Sequence, residues 1–249
     1  MDPVFASGAP ADGAGKPDVA VILPAAGQSL RMGDGARKPF LELAGEPILL
    51  RTVKRLAGAP GILEIILAVH PDDLDAVQGE WWERLAGAGA ALAVAGGVSR
   101  AESVWNAMQV VPARAELIAV HDAVRPFVSP DILKALFSTA RRRGAAVPVV
   151  PLVDTPKRVE GDSVVETPRR LGLMRVQTPQ VFASDLLIEA YEYALSTGGL
   201  SDRITDDSQM VENLGREVAA VLGDEFNLKI TTPKDLRLAE ALLAAGLVE

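Results

Sequence analysis

The amino-acid sequence predicts an α/β protein built on a doubly wound, mostly parallel sheet. Short, wholly apolar runs at Val19–Leu23, Ile65–Val69, Ala91–Ala95, Leu117–Val120 and Ala145–Val150 alternate with helix-length segments. Strands without a polar face must be covered on both sides, and helices between parallel strands supply that cover. A chain of 249 residues, 49% hydrophobic and 23% charged, is long enough to bury one core of this kind.

Residues 1–17 hold Ala, Gly, Pro and Asp with little to bury and read as a disordered leader, leaving 18–249 as a single domain. After the first strand comes a Gly-rich loop too long for a plain connection. Ser99-Arg100-Ala101-Glu102 reads as a capping box that starts a helix. Ser129-Pro130-Asp131 starts another with a cap, a first-turn proline and an acid, and Gly144 stops it. Thr232-Pro233-Lys234-Asp235 and Gly246 repeat that start and stop, and Thr205 before Asp206-Asp207 reads as a further N-cap. Between residues 151 and 180 the alternation breaks. Four prolines, two Val-rich pieces (Lys157–Val159, Ser163–Glu166) and the turn Gly161-Asp162 predict a hairpin-like arm, whose apolar face is most economically covered by a second copy of the chain.

Composition excludes several chemistries. With no Cys, the chain has no disulfide, thiolate metal site or Cys nucleophile, and two His cannot build a His-rich centre, so a metal would sit on oxygen ligands. A net charge of −8 and 4% aromatics argue against an extended nucleic-acid footprint. No apolar stretch approaches the roughly 18 residues needed to span a bilayer, and no basic start precedes an apolar run, so a cytoplasmic protein is expected.

Chemistry is written first in Pro24-Ala25-Ala26-Gly27, followed by Arg31 and Lys38. Small residues after a strand let backbone N–H groups approach a ligand, and ligands of open α/β sheets sit at the carboxyl ends of the strands. The loop is neither a P-loop nor a dinucleotide fingerprint. Its two cations suit a triphosphate. Asp122 ends the fourth strand, where a carboxylate can hold Mg²⁺ or hydroxyls, and Arg125 follows three residues on. His121 reads as a packed, hydrogen-bonded histidine, since a phosphate nucleophile with a second pKa near ~6 needs no base. Lys229, between Leu228 and Ile230, reads as a lysine in an apolar strand, which needs a partner.

Seven elements occur in one register over residues 19–246. They are P-A-A-G-x-x-x-R-M with a following Lys, G-G-x-x-R-x-x-S-V from Gly96, H-D-A-x-R-P from His121, D-T-x-K from Asp154, Q-T-P-Q-x-F from Gln177, T-D-D from Thr205 and N-x-K-I-T-T-P-x-D-L from Asn227. In this order they resemble the 2-C-methyl-D-erythritol 4-phosphate cytidylyltransferases.

The resemblance implies a Rossmann-like nucleotidyltransferase fold and transfer of a cytidylyl group from CTP to a sugar-alcohol phosphate. Methylerythritol phosphate is the expected acceptor, and ribitol 5-phosphate, whose enzymes share most of these motifs, is the alternative. It also implies roles. Pro24, Ala25, Ala26 and Gly27 match the loop along CTP, and Gly97 and Ser103 match the cytosine-recognising segment. Arg31 and Lys38 match the transition-state stabilisers, and Asp122 a carboxylate near metal, ribose and acceptor. Arg125, Thr155, Arg170, Thr205 and Lys229 match the acceptor-phosphate site, with Arg170 and Lys229 positioning the nucleophile. Mg²⁺ or another divalent cation and a homodimer joined through the arm are implied, each arm completing the other subunit's site. Val98 stands where relatives often carry an acid, and Arg37-Lys38-Pro39 replaces a more usual Pro-Lys order.

Overall fold

A computed structural model describes residues 16–27, 38–200 and 204–249. In chain order the strands are β1 (Val19–Ala25), β2 (Glu42–Leu43), β3 (Glu46–Pro47), β4 (Ile62–Val69), β5 (Leu92–Ala95), β6 (Leu117–Val120), β7 (Ala145–Pro151), β8 (Arg158–Glu160), β9 (Ser163–Glu166), β10 (Met174–Val176), β11 (Gln180–Ala183) and β12 (Ala219–Leu222). The helices are α1 (Ile48–Ala57), α2 (Leu74–Ala76), α3 (Trp82–Gly87), α4 (Arg100–Met108), α5 (Pro130–Arg143), α6 (Ser184–Thr197), α7 (Asp207–Asn213) and α8 (Pro233–Ala244).

The central sheet runs β5-β4-β1-β6, continues through β11 to β7, and ends on β12. Strands β5, β4, β1 and β6 are mutually parallel, β12 is parallel to β7, and β11 is antiparallel to both of its neighbours. Strand β10 precedes β11 along the same side of β7. The expected doubly wound, mostly parallel sheet is what the chain forms.

Alternation along β1 explains the two layers of helices. Val19, Val21 and Leu23 point to the face covered by α1 and α5, while Ile22 points to the face covered by α4, α6 and α7. Each of these side chains is fully buried, which stabilises the fold by about 1.5–3 kcal/mol apiece. On the second face Trp105 of α4 stacks on Tyr191 of α6, with ring centroids 6.0 Å apart and planes 10° from parallel. A third cluster seats α8 on Leu43, Ile48, Phe127 and Ile230.

The local start and stop signals act as the sequence implied. Ser99 and Glu102 close a capping box on α4, Thr232 and Asp235 close one on α8, and Ser129 caps α5, which Gly144 ends at φ 83°.

Three expectations are corrected. The segment 151–180 does not leave the sheet throughout: β10 pairs with β7, and Gln180 opens β11, because the apolar pair Val181 and Phe182 fills the two opposite faces of the core. The exposed hairpin is the narrower β8–β9 pair. Lys229 lies in a loop, not a strand, and is exposed, because its backbone runs beside the loop that follows β6, where Ile230 N–H donates to Val124 O at 3.0 Å. The cap of α7 is Asp206, which accepts from Gln209 N–H, whereas Thr205 donates its own N–H and hydroxyl to Gln209 Oε1. Among the described residues, no helix is long and apolar enough to cross a membrane.

Candidate active site

A cleft of about 920 Å³ opens at the carboxyl ends of β1, β4, β5 and β6, which is where an open α/β sheet presents its ligand site. One wall is Pro24–Gly27 at the end of β1, and the other is the loop from Gly96 to Ser99 with the first turn of α4. The two walls touch. A Cβ on Gly96 would lie 2.5 Å from the Ala26 methyl and 2.9 Å from Ser103 Oγ, and one on Gly97 would lie 2.2 Å from Glu102 Cβ. Only glycine lets the backbone come this close to those side chains.

The second wall is braced from behind. Ser103 Oγ accepts from Gly97 N–H at 3.0 Å and donates to Ser99 O at 2.9 Å, while Glu102 Oε2 accepts from Val98 N–H at 2.7 Å. The Val98 side chain is fully exposed at the cleft rim, so the loop is shaped by its backbone contacts and presents an apolar side chain there.

Asp122 forms the floor, and its carboxylate gathers cations. Oδ2 is 2.9 Å from Arg125 Nε and 3.1 Å from Lys229 Nζ, and Oδ1 is 3.9 Å from Arg100 Nε. Burial alone would raise the Asp122 carboxyl, but Lys229, Arg100 and Arg125 overcome it and hold the group well below the usual carboxylate range. Arg100 also pairs with Asp207 at 2.8 Å. Asp122 and Asp207 thus gather three cations, of which Arg100 and Lys229 line the cleft where an anionic ligand could meet them.

A relay of hydrogen bonds fixes the backbone under Asp122. Its N–H donates to Thr178 Oγ1 at 3.0 Å, that hydroxyl donates to His121 Nδ1 at 3.1 Å, and His121 Nε2–H donates to Arg125 O at 3.0 Å. The pattern assigns a neutral imidazole with its proton on Nε2. His121 is fully buried, and that burial lowers its pKa to about 4.

The unfolded chain, with an ordinary His pKa near ~6.5, therefore takes up a proton that the folded chain refuses between those values. This contribution to stability is complete above the unfolded value and is lost as pH falls toward 4. Between pH 7 and pH 5 the loss is expected to be about 2 kcal/mol, a fall in melting temperature of roughly 4–8 °C. Thermal melts of the native protein and of His121→Gln check it. The variant should lose this part of the slope, and parallel curves would exclude His121 as the cause.

The structure brings together Pro24, Ala25, Ala26, Gly27, Gly97, Ser103, Asp122 and Lys229 around the cleft. Arg125 stands behind, 11% exposed, with Nε on Asp122 and Nη1 on Asn227 O at 2.8 Å, so it faces the floor carboxylate and not the opening. Thr155 and Arg170 lie on the exposed stretch around the β8–β9 hairpin and Thr205 lies before α7, all outside this chain's cleft lining. Arg31 and the Lys38 side chain lie outside the described residues, although Lys38 opens a short 3-10 turn whose Pro39 lines the cleft.

Sequence reasoning did not assign roles to Arg100, Asp207, Tyr191, Gln177, Thr178 or Gln180. Tyr191 lies in none of the quoted elements, and the signal of the other five was present only as polar letters inside the G-G-x-x-R, T-D-D and Q-T-P-Q elements. Gln177, Thr178, Gln180 and Asp207 are all buried, and a buried polar group demands a partner.

The model of the family described as 2-C-methyl-D-erythritol 4-phosphate cytidylyltransferase (IspD) matches residues 19–245. A curated protein of that name from Symbiobacterium thermophilum is 45% identical over 228 residues, which cover 90% of this chain and 92% of the relative. Another from Solibacter usitatus is 45% identical over 236 residues, covering 90% and 95%. Among solved structures, the 2-C-methyl-D-erythritol 4-phosphate cytidylyltransferase of Thermus thermophilus superposes with a TM-score of 0.74 at 36% identity, covering 91% of this chain and 99% of that one.

Proposed function

The chain belongs to the 2-C-methyl-D-erythritol 4-phosphate cytidylyltransferase family, and from that membership we propose how its own residues perform the family reaction. The enzyme transfers the cytidylyl group of CTP to 2-C-methyl-D-erythritol 4-phosphate in the non-mevalonate route to isoprenoid precursors, releasing pyrophosphate. The ribitol 5-phosphate alternative is not favoured, since the family model and the relatives above all carry the methylerythritol phosphate name.

In the proposed mechanism a phosphate oxygen of the acceptor attacks the α-phosphorus of CTP. The bond from that phosphorus to the bridging oxygen breaks in line, and the electron pair leaves with pyrophosphate. The nucleophile is ionised at neutral pH because its second pKa is near ~6, so no residue need remove a proton. The work left to the protein is positioning and charge stabilisation.

Backbone groups of Pro24–Gly27 run along the nucleotide, and the Gly97–Ser103 loop reads cytosine. Asp122 faces ribose and acceptor. Arg31 and Lys38 neutralise charge developing on the phosphates. Lys229, with Thr155, Arg170 and Thr205, holds the acceptor's phosphate while Arg125 braces Asp122 from behind, and Thr155 and Arg170 come to the cleft through a homodimer in which the hairpin of one subunit completes the other's site. The observation that carries this reading is the floor carboxylate Asp122 with its three cations, one of them the exposed Lys229, set beside a glycine-lined wall. Val159, Val164 and Val165 are exposed on the hairpin, which supports a partner there.

Magnesium fits the donor set. No cluster of three or more His, Cys, Asp or Glu occurs among the described residues, and Asp122 offers one hard oxygen ligand. Such a site takes a divalent ion held mainly by nucleotide phosphates and water. When bound, the ion supplies Lewis-acid neutralisation of the phosphate charge. A cytoplasmic location is consistent with soluble substrates and with described helices that do not reach membrane-spanning length.

A paired-acceptor assay tests the reading. Pyrophosphate release from CTP and Mg²⁺ is expected with 2-C-methyl-D-erythritol 4-phosphate and not with ribitol 5-phosphate. Equal or faster release with ribitol 5-phosphate would overturn it.

A further inference from the structure

Arg100, the first residue of α4, stands between carboxylates that come from two different parts of the fold. Its Nη2 is 2.8 Å from Asp207 Oδ2, and its Nε is 3.9 Å from Asp122 Oδ1. Asp207 is a fixed post. It is completely buried, Tyr191 donates its hydroxyl to Oδ1 at 2.6 Å, and Gln180 Oε1 accepts from the backbone N–H groups of Asp207 and Ser208, each at 3.0 Å. Gln180 also donates to Asp206 Oδ2 at 2.9 Å, so one side chain from β11 holds the whole entrance of α7.

Asp122 has its other oxygen, Oδ2, taken by Arg125 and Lys229. Its Oδ1 is the freer oxygen, and Arg100 is the cation that faces it. We propose that Arg100 is a positioning residue for cytidylyl transfer: anchored on Asp207, it aims Asp122 Oδ1 into the cleft and ties the floor to α7, which begins two residues after Thr205. This rests on the family reaction proposed above.

A purely structural ion pair is the competing account, and two facts weigh against it. A buried pair is no more stable than well-packed apolar residues of the same volume, so stability alone does not call for one here. The Arg100 side chain also stays 30% exposed and lines the cleft, where a residue serving only the core has no reason to be.

Removing Arg100 alone strands a buried carboxylate and conflates folding with chemistry. The test therefore pairs Arg100→Gln with Asp207→Asn, which replaces two charges by two amides able to hydrogen-bond each other, and adds Arg100→Lys, which keeps Asp207 paired but lacks the fork that reaches Asp122. Melting temperature, kcat, and KM for CTP and for acceptor are measured for each.

Arg100→Gln should lower both melting temperature and kcat. The double variant should regain the native melting temperature, yet its kcat, like that of Arg100→Lys, should stay about 10–100-fold down with KM for CTP little changed, the size typical of removing a group that orients a site residue. Native kcat in a folded double variant, or in Arg100→Lys, overturns the proposal. Native protein that releases no pyrophosphate from CTP and methylerythritol phosphate refutes the family reading instead, so the two failures are distinguishable.

Discussion

Replacing Lys229 by Met is expected to lower turnover by about 10²–10³-fold while the protein stays folded, the loss seen when one preorganised charge at a reacting centre is removed. The Lys229 side chain is 43% exposed and its ammonium rests 3.1 Å from Asp122 Oδ2. An exposed pair contributes about 1 kcal/mol or less to stability, so the melt should barely move. Asp122 keeps Arg125 and Arg100, and is therefore not left as an unpaired buried charge.

The loop that carries Lys229 is pinned on both sides and does not depend on the ammonium. Asn227 Nδ2 donates to Thr178 O at 2.8 Å before it, and Ile230 N–H bonds Val124 O after it. Methionine keeps the apolar stem and drops the charge. The loss should fall on kcat and on KM for the acceptor, with KM for CTP less affected. Steady-state kinetics with each substrate varied, beside a thermal melt, check this. Unchanged turnover in a folded variant would remove Lys229 from the site.

The second large effect concerns the hairpin. Arg170 lies on its exposed flank and donates to Val153 O within the same stretch, away from this chain's cleft. On the proposed dimer, Arg170→Met and Lys229→Met are each nearly inactive, because both sites of the first lack the hairpin cation and both sites of the second lack the floor cation. Mixed in equal amounts and allowed to exchange, they should regain about a quarter of the native rate, since half the dimers are mixed and each mixed dimer holds one intact site. Mixing that restores nothing after exchange, shown by subunit-labelled sedimentation, would mean that Arg170 does not act across a subunit boundary.

Much of this architecture was readable because the sequence states it locally. The apolar runs of β1, β4, β6 and β7 have no polar face to misplace, and the caps at Ser99, Ser129 and Thr232 each need only three or four residues to be recognised. What stayed hidden was non-local. Strand β12 is four residues long with every second one exposed, too short to declare itself. Strands β10 and β11 sit beside Pro168 and Pro179, whose turn chemistry masked them.

The site divides in the same way. Asp122 and the Pro24–Gly27 loop follow from their places at strand ends, and Lys229 follows as a charge among apolar neighbours, although its strand did not exist. The Arg100–Asp207–Tyr191 network joins α4, α7 and α6 across the second core face, and no spacing rule predicts pairing at that separation. Arg125 shows the opposite limit: its type and offset suited a phosphate, while in the folded chain its guanidinium is taken up by Asp122 and Asn227 O.

The reversed direction of β11 has a mechanical meaning. Its neighbours β6 and β7 leave the sheet at the cleft edge, but β11, antiparallel to both, enters there, so the chain returning from the hairpin passes directly beneath the floor. Thr178, whose hydroxyl clamps the amide of Asp122, falls in the gap between β10 and β11. The amide of Asp122 is thus held from outside the cleft, by a hydroxyl on the joint between two strands, so a change at Thr178 reaches the floor without replacing any lining residue.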